Sequence, residues 1–432
     1  MRIIDYSEFE DYWKTVSRHG EDSALTEAVG RVIDAVRCEG DAAVRRFAAQ
    51  FDKSAPETLE ASPDCVRAAY QKLERDKPEL HWALSLAAVH IRRFAEQQKA
   101  QFVDFEYQMA DGLVTGQRVI PVRRAAIYAP AGRFPLISTV LMGVIPALLA
   151  GVEELIVASP PLENGLPDER VMAAVYLAAA GAGNVRLFAM GGAQAIAALA
   201  LGTETVPRVD VIAGPGNKYV ATAKRLLYGE TGIDFIAGPS DVLIIADAPN
   251  ANADIIAADM LAQAEHDPDA RARALVPDRA FAALLAARLE ARLDGLPTAG
   301  TARASLDAGG LIITYTAREE AVSIANAIAP EHLELQVAEP ALWIPRLRNY
   351  GSLFIGSLAV EALGDYSAGI NHTLPTGGSA RFTGGLSVRH FLKTLTTLRC
   401  SPGAGYDDAC RAAQIIAQAE GLTAHAESAA IR

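Results

Sequence analysis

From about Arg124 onward the chain alternates short, uniformly apolar runs with longer stretches rich in alanine and leucine. AAIYAP is followed by STVLMGVIPALLAG, ELIVAS by VMAAVYLAAAGA, VRLFAM by AQAIAALALG, and VDVIAG closes the series. This pattern predicts βα repetition. Strands that are apolar at every position, not at every second one, are buried on both faces, as in a parallel sheet covered by helices. A second series starts at DVLIIAD, passes through an alanine-rich helix and includes LIITYT and GSLFIG. The pattern therefore predicts an α/β chain with two Rossmann-like parallel sheets.

The first hundred residues read differently. LTEAVGRVIDAVRCEGDAAVRRFAAQFD and CVRAAYQKLERDKPELHWALSLAAVHIRRFAEQQKAQF carry apolar residues at helical spacing and charges on the opposite face, which predicts a helical layer. The tail from Tyr406 to Arg432 is also helical, with Gly421 placed to cap one helix before a last turn that carries His425. So short a tail has little core of its own and must pack on something.

Composition narrows the class of partner. The chain has 432 residues, of which 50% are hydrophobic and 21% charged, with a formal net charge of −12. There is enough apolar material for two or more domains. The acidic balance and the dispersed basic residues argue against nucleic acid, and Trp13, Trp82 and Trp343 form no stacking pattern. The longest apolar stretch, 137–150, is too short to span a bilayer and contains Gly143 and Pro146. Cys38, Cys65, Cys400 and Cys410 form no CxxC pair and are too sparse for a disulfide framework. The amino terminus lacks the layout of a secretory signal. A cytoplasmic protein with a small-molecule substrate is the expectation, with neither membrane nor nucleic acid as partner.

The chemistry concentrates in a few places. Gln263 and His266, three apart on the second-series helix, can reach one ion from a single turn. Joined by Asp365 and His425 from downstream, they form a set of two imidazoles, a carboxylate and an amide without thiolate. Such a set suits a zinc ion that holds and polarises a substrate. In PEHLEL, Glu331 and His332 are adjacent, cannot share a helix face, and make sense at an irregular turn as two separate acid–base groups. GDYSAGINHTLPTGG, after GSLFIG, reads as a loop at the carboxyl end of a strand, where parallel sheets bind ligands. It carries Asp365 and His372, either of which could also serve a turn. IAGPGNKYV and IDFIAGPSDVLIIAD place Gly-Pro turns beside strands, where backbone NH groups can face a phosphate or carboxylate. GGAQAI opens a helix with Gln194 in its first turn. No GxGxxG or GxxxxGK[ST] occurs, so a dinucleotide would bind in a non-standard way. His19, His81, His90 and His390 have no second ligand at useful spacing and read as structural or surface groups.

Taken together, IYAPAGRFPLISTVLM, GGAQAIAALALGTE, GPGNKYVATAKR, GIDFIAGPSDVLIIAD, DMLAQAEHDP, PEHLEL, GDYSAGINHTLPTGG and EGLTAHAES resemble the histidinol dehydrogenase family over nearly the whole chain. The resemblance implies a zinc- and NAD-dependent oxidation of L-histidinol, through its aldehyde, to L-histidine. It implies Gln263, His266, Asp365 and His425 as zinc ligands and Glu331 and His332 as the acid–base pair. It further implies Ser240, His372 and Glu420, with the metal ligands and His332, as substrate contacts, and Tyr128, Gln194 and Asn217 as the dinucleotide side. It also implies a homodimer in which the tail hands Glu420 and His425 to the partner's site. YAPAG stands where the family more often has YVPGG, and Asp241 where Glu is usual. A relative that oxidises sulfopropanediol resembles the chain in the same zinc and acid–base residues, and is the alternative reading. The expected division is a helical segment over 1–24, a first α/β domain over 25–127 plus 240–386, a second α/β domain over 128–239, and a helical tail over 387–432.

Overall fold

The computed structural model describes residues 1–16, 22–131, 135–236, 238–248 and 250–432; His19 lies outside them. Two six-stranded sheets and one three-stranded sheet organise the chain. The first sheet runs, from edge to edge, Arg2–Asp5, Leu311–Thr314, Arg271–Val276, Asp241–Ala246, His332–Gln336 and Ser352–Ile355, all parallel. The second runs Glu60–Ala61, Val185–Ala189, Glu154–Ser159, Arg124–Tyr128, Val211–Ala213 and Gly232–Ile233, parallel except for its first, antiparallel strand. Leaving aside the edge strands Arg2–Asp5 and Glu60–Ala61, both sheets have the strand order 3-2-1-4-5 in their own chain order. That doubly wound order has a switch point between its first and fourth strands, where a crevice opens.

Each six-stranded sheet has an apolar core on both faces. In the second sheet, one face packs Ile127, Leu155 and Val157 against Leu84, Ile91 and Ile145, while the other packs Ala126, Ile156 and Phe188 against Val29, Val36 and Ile196. In the first sheet, Leu243, Leu333 and Leu335 pack with Ile4, Phe9 and Trp343 on one face, and Val242, Ile244 and Ala274 pack with Ile256, Met260 and Leu285 on the other. This two-sided burial is why these strands are mostly apolar, with Asp241, Arg273, His332, Glu334 and Gln336 as buried exceptions.

The packing differs from the expected division in three ways. Helices Ser23–Glu39, Asp41–Phe51, Pro63–Asp76 and Pro78–Lys99 cover the second sheet, not the first, because they flank the strand Arg124–Tyr128 that follows them. Residues 1–24 are not purely helical: Arg2–Asp5 is an edge strand of the first sheet, and the helix Tyr6–Val16 follows it. The tail from 387 is not purely helical either. Its Leu392–Cys400 is a nine-residue strand, antiparallel to Leu113–Pro121, which in turn pairs with Phe105–Ala110. Only after this sheet come the helices Ala404–Ala419 and Thr423–Ala430, separated by Gly421 at φ +77.

The three-stranded sheet and the tail have almost no core. Phe105, Tyr107, Met109, Leu395, Leu398, Ile415, Ile416 and Ile431 are all exposed, and Ala417 and Ala426 are the buried residues of the two tail helices. No helix among the described residues is long and apolar enough to cross a membrane.

Candidate active site

Glu331 and His332, the expected acid–base pair, sit at the amino-terminal ends of the first sheet's strands, not at their carboxyl ends. Glu331 directly precedes the strand His332–Gln336, and His332 is its first residue, so PEHLEL is a strand entry and not a free-standing turn. Its neighbour in the sheet begins at Asp241, with Val242 opposite His332. The start of these two strands brings Asp241 and Glu331 together in a reciprocal pair. The Asp241 N–H donates to Glu331 Oε2 at 3.1 Å, and the Glu331 N–H donates to Asp241 Oδ1 at 3.1 Å. Asp241 Oδ2 also accepts from Arg273 on the adjoining strand at 3.2 Å, and both side chains are buried. Asp241, noticed in the sequence only as a departure, thus fixes the backbone and the carboxylate of Glu331.

His332 is buried and ringed by acids. Its Nδ1 lies 3.7 Å from Glu361 Oε1 and 3.9 Å from Glu331 Oε2, and its Nε2 lies 3.5 Å from Asp365 Oδ1. None of these is a hydrogen bond, and both ring nitrogens are without a partner. Burial disfavours the imidazolium, yet Glu361, Glu331 and Asp365 outweigh it and hold the His332 pKa well above the usual histidine value. Glu331 is pushed up to about 8, mainly by burial, with His332 opposing and Asp241 and Glu361 adding to the rise. Burial raises Asp365 too, but His332, His372 and His266 more than offset it and keep its carboxyl below the ordinary range.

Asp365 lies on the short helix Glu361–Tyr366, not on a loop as expected, and Glu361 sits one turn before it on the same face. Glu361 is the site residue that the sequence reading missed. Six helical residues are too few to show a period, so GDYSAG read as a glycine-rich loop. Beyond the helix, the His372 Nδ1–H donates to Asp365 O at 2.9 Å, and Nε2 of the neutral ring accepts from the Thr139 hydroxyl at 3.3 Å. Burial lowers its pKa, so the ring is neutral at pH 7. Thr139 opens the helix Ile137–Ala150 that follows the second sheet's first strand. The amino ends of the first sheet therefore face the carboxyl ends of the second. Asn371, whose Nδ2 donates to Met142 O at 2.7 Å, crosses the same seam.

Gln263 ends the helix Ala253–Ala264, and His266 sits in the turn just past it, its N–H donating to Gln263 O at 3.3 Å. His266 is exposed, whereas Gln263 is fully buried with both its amide oxygen and nitrogen unpartnered. A buried amide with neither group satisfied is costly unless something else binds there. His332, Glu361 and Asp365 bring one ligand atom each within 4.8 Å of one another. These carboxylate and imidazole donors fit a zinc-like ion. Ser240, half-buried, directly precedes the strand that starts at Asp241, and its carbonyl accepts from the Arg271 N–H at 3.0 Å.

Glu420 and His425 are elsewhere in the chain. Glu420 caps the helix Ala404–Ala419 and is exposed. His425 lines a groove of about 550 Å³ with Leu113, Leu398, Tyr406 and Cys410 of the three-stranded sheet and tail. None of those residues belongs to the cluster around His332.

Tyr128, Gln194 and Asn217 all fall at the carboxyl edge of the second sheet, on either side of its switch point. Tyr128 ends its strand, and its buried hydroxyl, pushed up to about 12 by burial, accepts from the Gly192 N–H at 3.0 Å. Gln194 lies in the first turn of the helix Gly192–Leu201, whose start has no side-chain cap. Asn217 caps the helix Lys218–Leu227, accepting from the Tyr219 and Val220 N–H groups at 3.1 and 3.2 Å. The turn before it is held by a buried ion pair: Lys224 Nζ donates to Asp234 and to Gly214 O, and Asp234 Oδ2 accepts from the Gly214 N–H. Gly214, at φ +114, packs so closely on the Tyr128 carbonyl that no Cβ would fit. Two helix starts and a close backbone approach at a switch point suit an anionic, elongated ligand.

A doubly wound α/β scaffold that buries imidazole and carboxyl groups where its two sheets meet has a layout that suits an oxidoreductase. Comparison with known proteins narrows this. The histidinol dehydrogenase family model matches residues 16–432. The histidinol dehydrogenase of Thermus thermophilus is 47% identical over 412 residues, covering 95% of this chain and 95% of its own. That of Methylococcus capsulatus is 45% identical over 415 residues, covering 95% of this chain and 92% of its own. The crystal structure of histidinol dehydrogenase from Elizabethkingia anophelis superposes with a TM-score of 0.90 at 33% identity, covering 100% of this chain and 96% of the other. The chain belongs to the histidinol dehydrogenase family.

Proposed function

We propose that this protein carries out the NAD-dependent, four-electron oxidation of L-histidinol to L-histidine through L-histidinaldehyde, closing histidine biosynthesis. The proposed zinc ligands are Gln263, His266, Asp365 and, from a second copy of the chain, His425. When bound, the ion would act as a template that clamps the substrate's imidazole and amine, and NAD would accept the two hydrides. The orphaned Gln263 amide is the observation that carries the metal reading.

In the first oxidation His332 takes the hydroxyl proton as hydride leaves the carbinol carbon; only the neutral ring can do so, and a cation held by Asp365 would favour that form by offsetting the acidic charge that otherwise keeps the ring protonated. In the second, Glu331 removes a proton from the water that adds to the aldehyde carbon. The reciprocal pairing with Asp241 holds Glu331 in place for this. Ser240, His372 and Glu420 are proposed to hold the amino alcohol, and Tyr128, Gln194 and Asn217 to hold the dinucleotide at the second sheet's edge. Arg/Lys-rich features for nucleic acid are absent from the sequence, in keeping with a small-molecule partner.

The homodimer is part of the same reading. A three-stranded sheet exposed on both faces, with a tail that buries only Ala417 and Ala426, is support that the arm packs on a second copy. That packing would carry Glu420 and His425 to the partner's cleft. The test is metal analysis and turnover of purified protein with L-histidinol and, separately, with sulfopropanediol. Zinc-dependent reduction of NAD by L-histidinol alone supports the reading, and turnover of the sulfonated diol alone would replace the substrate while keeping the machinery.

A further inference from the structure

We propose that Asp52 selects NAD over its 2′-phosphorylated counterpart by accepting hydrogen bonds from the adenosine ribose; this rests on reading the second sheet's carboxyl edge as the dinucleotide side. Asp52 ends the helix Asp41–Phe51 and has no part in the chemistry described above. Its Oδ2 accepts from Gln194 Nε2 at 3.2 Å. The Gly191 N–H also donates to its carboxylate, and a Cβ on Gly191 would come within 2.7 Å of Oδ1. Asp52 thereby joins Gln194, and through Gly192 the Tyr128 hydroxyl, in one polar patch along this edge.

The direction of the dinucleotide follows from where the two sheets meet. The seam contacts, Thr139 with His372, Met142 with Asn371 and Gly238 with Thr376, lie on the segments after the strands Arg124–Tyr128 and Gly232–Ile233. The nicotinamide must face that seam, because the reacting carbon lies there. From Asn217, after Val211–Ala213, to Gln194, after Val185–Ala189, is three strand spacings, roughly 14 Å at about 4.8 Å each. An extended dinucleotide that starts at the seam therefore ends beside Gln194 and Asp52, at the side where the edge strand Glu60–Ala61 closes the sheet.

A carboxylate at that end pairs with the vicinal ribose hydroxyls and repels a 2′-phosphate. Burial pushes the Asp52 carboxyl up to about 6, with Gln194 and Gly191 opposing, so it is ionised at neutral and alkaline pH.

The experiment is calorimetric titration of the full-length protein with ADP-ribose and with its 2′-phosphate, neither of which requires turnover. Wild-type protein is expected to bind ADP-ribose more tightly than the 2′-phosphate by roughly tenfold or more. Asp52→Asn, nearly isosteric, and Asp52→Ser, checked for an unchanged thermal melt, should both shrink that ratio by about tenfold. An unchanged ratio in whichever variant folds overturns the role of Asp52 while leaving the dinucleotide edge in place. Failure of the wild-type protein to bind ADP-ribose at all would remove the dinucleotide edge, and the proposal with it.

Discussion

Glu331 and Asp241 show how two residues at the start of neighbouring strands can set the chemistry of a site. The Glu331 pKa of about 8 means the acid form dominates below pH 8 and the base form above it. A general base works only when deprotonated, so oxidation of histidinaldehyde should rise with pH by about tenfold per unit and level off above about 8. Glu331→Gln should erase that limb and impair aldehyde oxidation more than alcohol oxidation, which separate assays of the two steps will read. A pH profile that Glu331→Gln leaves unchanged would exclude Glu331 as the base. Asp241 carries a second expectation. Its loss would leave Arg273 buried and charged without its partner, so Asp241→Ala should cost on the order of 3–5 kcal/mol in urea denaturation. The motif PEHLEL marked Glu331 and His332 in the sequence. The third acid, Glu361, was invisible because it comes from a helix too short to register and approaches His332 only through the fold.

At the scale of elements, the strands Arg124–Tyr128, Glu154–Ser159, Val185–Ala189, Val211–Ala213, Asp241–Ala246, Leu311–Thr314 and Ser352–Ile355 were legible because burial on two faces leaves few polar positions, whereas Arg271–Val276 and His332–Gln336, which bury Arg273, His332, Glu334 and Gln336, were not. What the pattern could not tell was which sheet the first hundred residues cover. Helices at 3.6-residue spacing announce an apolar face but not its destination. The strand Leu392–Cys400 was also missed, although its threonines favour extended backbone, because the helices after it dominate the tail. The first sheet also gathers its candidate groups at the end opposite to the one expected: Glu331, His332 and, through helix ends, Gln263 and Asp365 lie at its amino ends, whereas Tyr128, Gln194 and Asn217 lie at the carboxyl edge of the second. The helix Thr423–Ala430 is the element with the clearest test. His425 is exposed on it and packs little of the core, so His425→Ala should leave the circular dichroism and melting temperature nearly unchanged. Bound zinc and activity should both fall sharply in elemental analysis and assay, and full retention of zinc would count against His425 as a ligand.

At the scale of the whole molecule, the two parts of the proposed site belong to regions that do not meet within one chain: the cluster around His332, and the tail on its exposed sheet. If each cleft is completed by the other copy's tail, two inactive variants can repair each other. Glu331→Gln chains carry a sound tail, and His425→Ala chains a sound acid–base pair. Refolded together at equal amounts, they should recover on the order of a quarter of wild-type activity, since about half the dimers are mixed and each holds one intact site. A mixture no more active than its parents would mean that each chain builds its site alone. The most direct test of the account is the stoichiometry of the reaction. With L-histidinol limiting and NAD in excess, the zinc-loaded protein should form two NADH and one L-histidine per substrate consumed, without free aldehyde. One NADH per substrate with aldehyde accumulating, or no NADH at all, would contradict it.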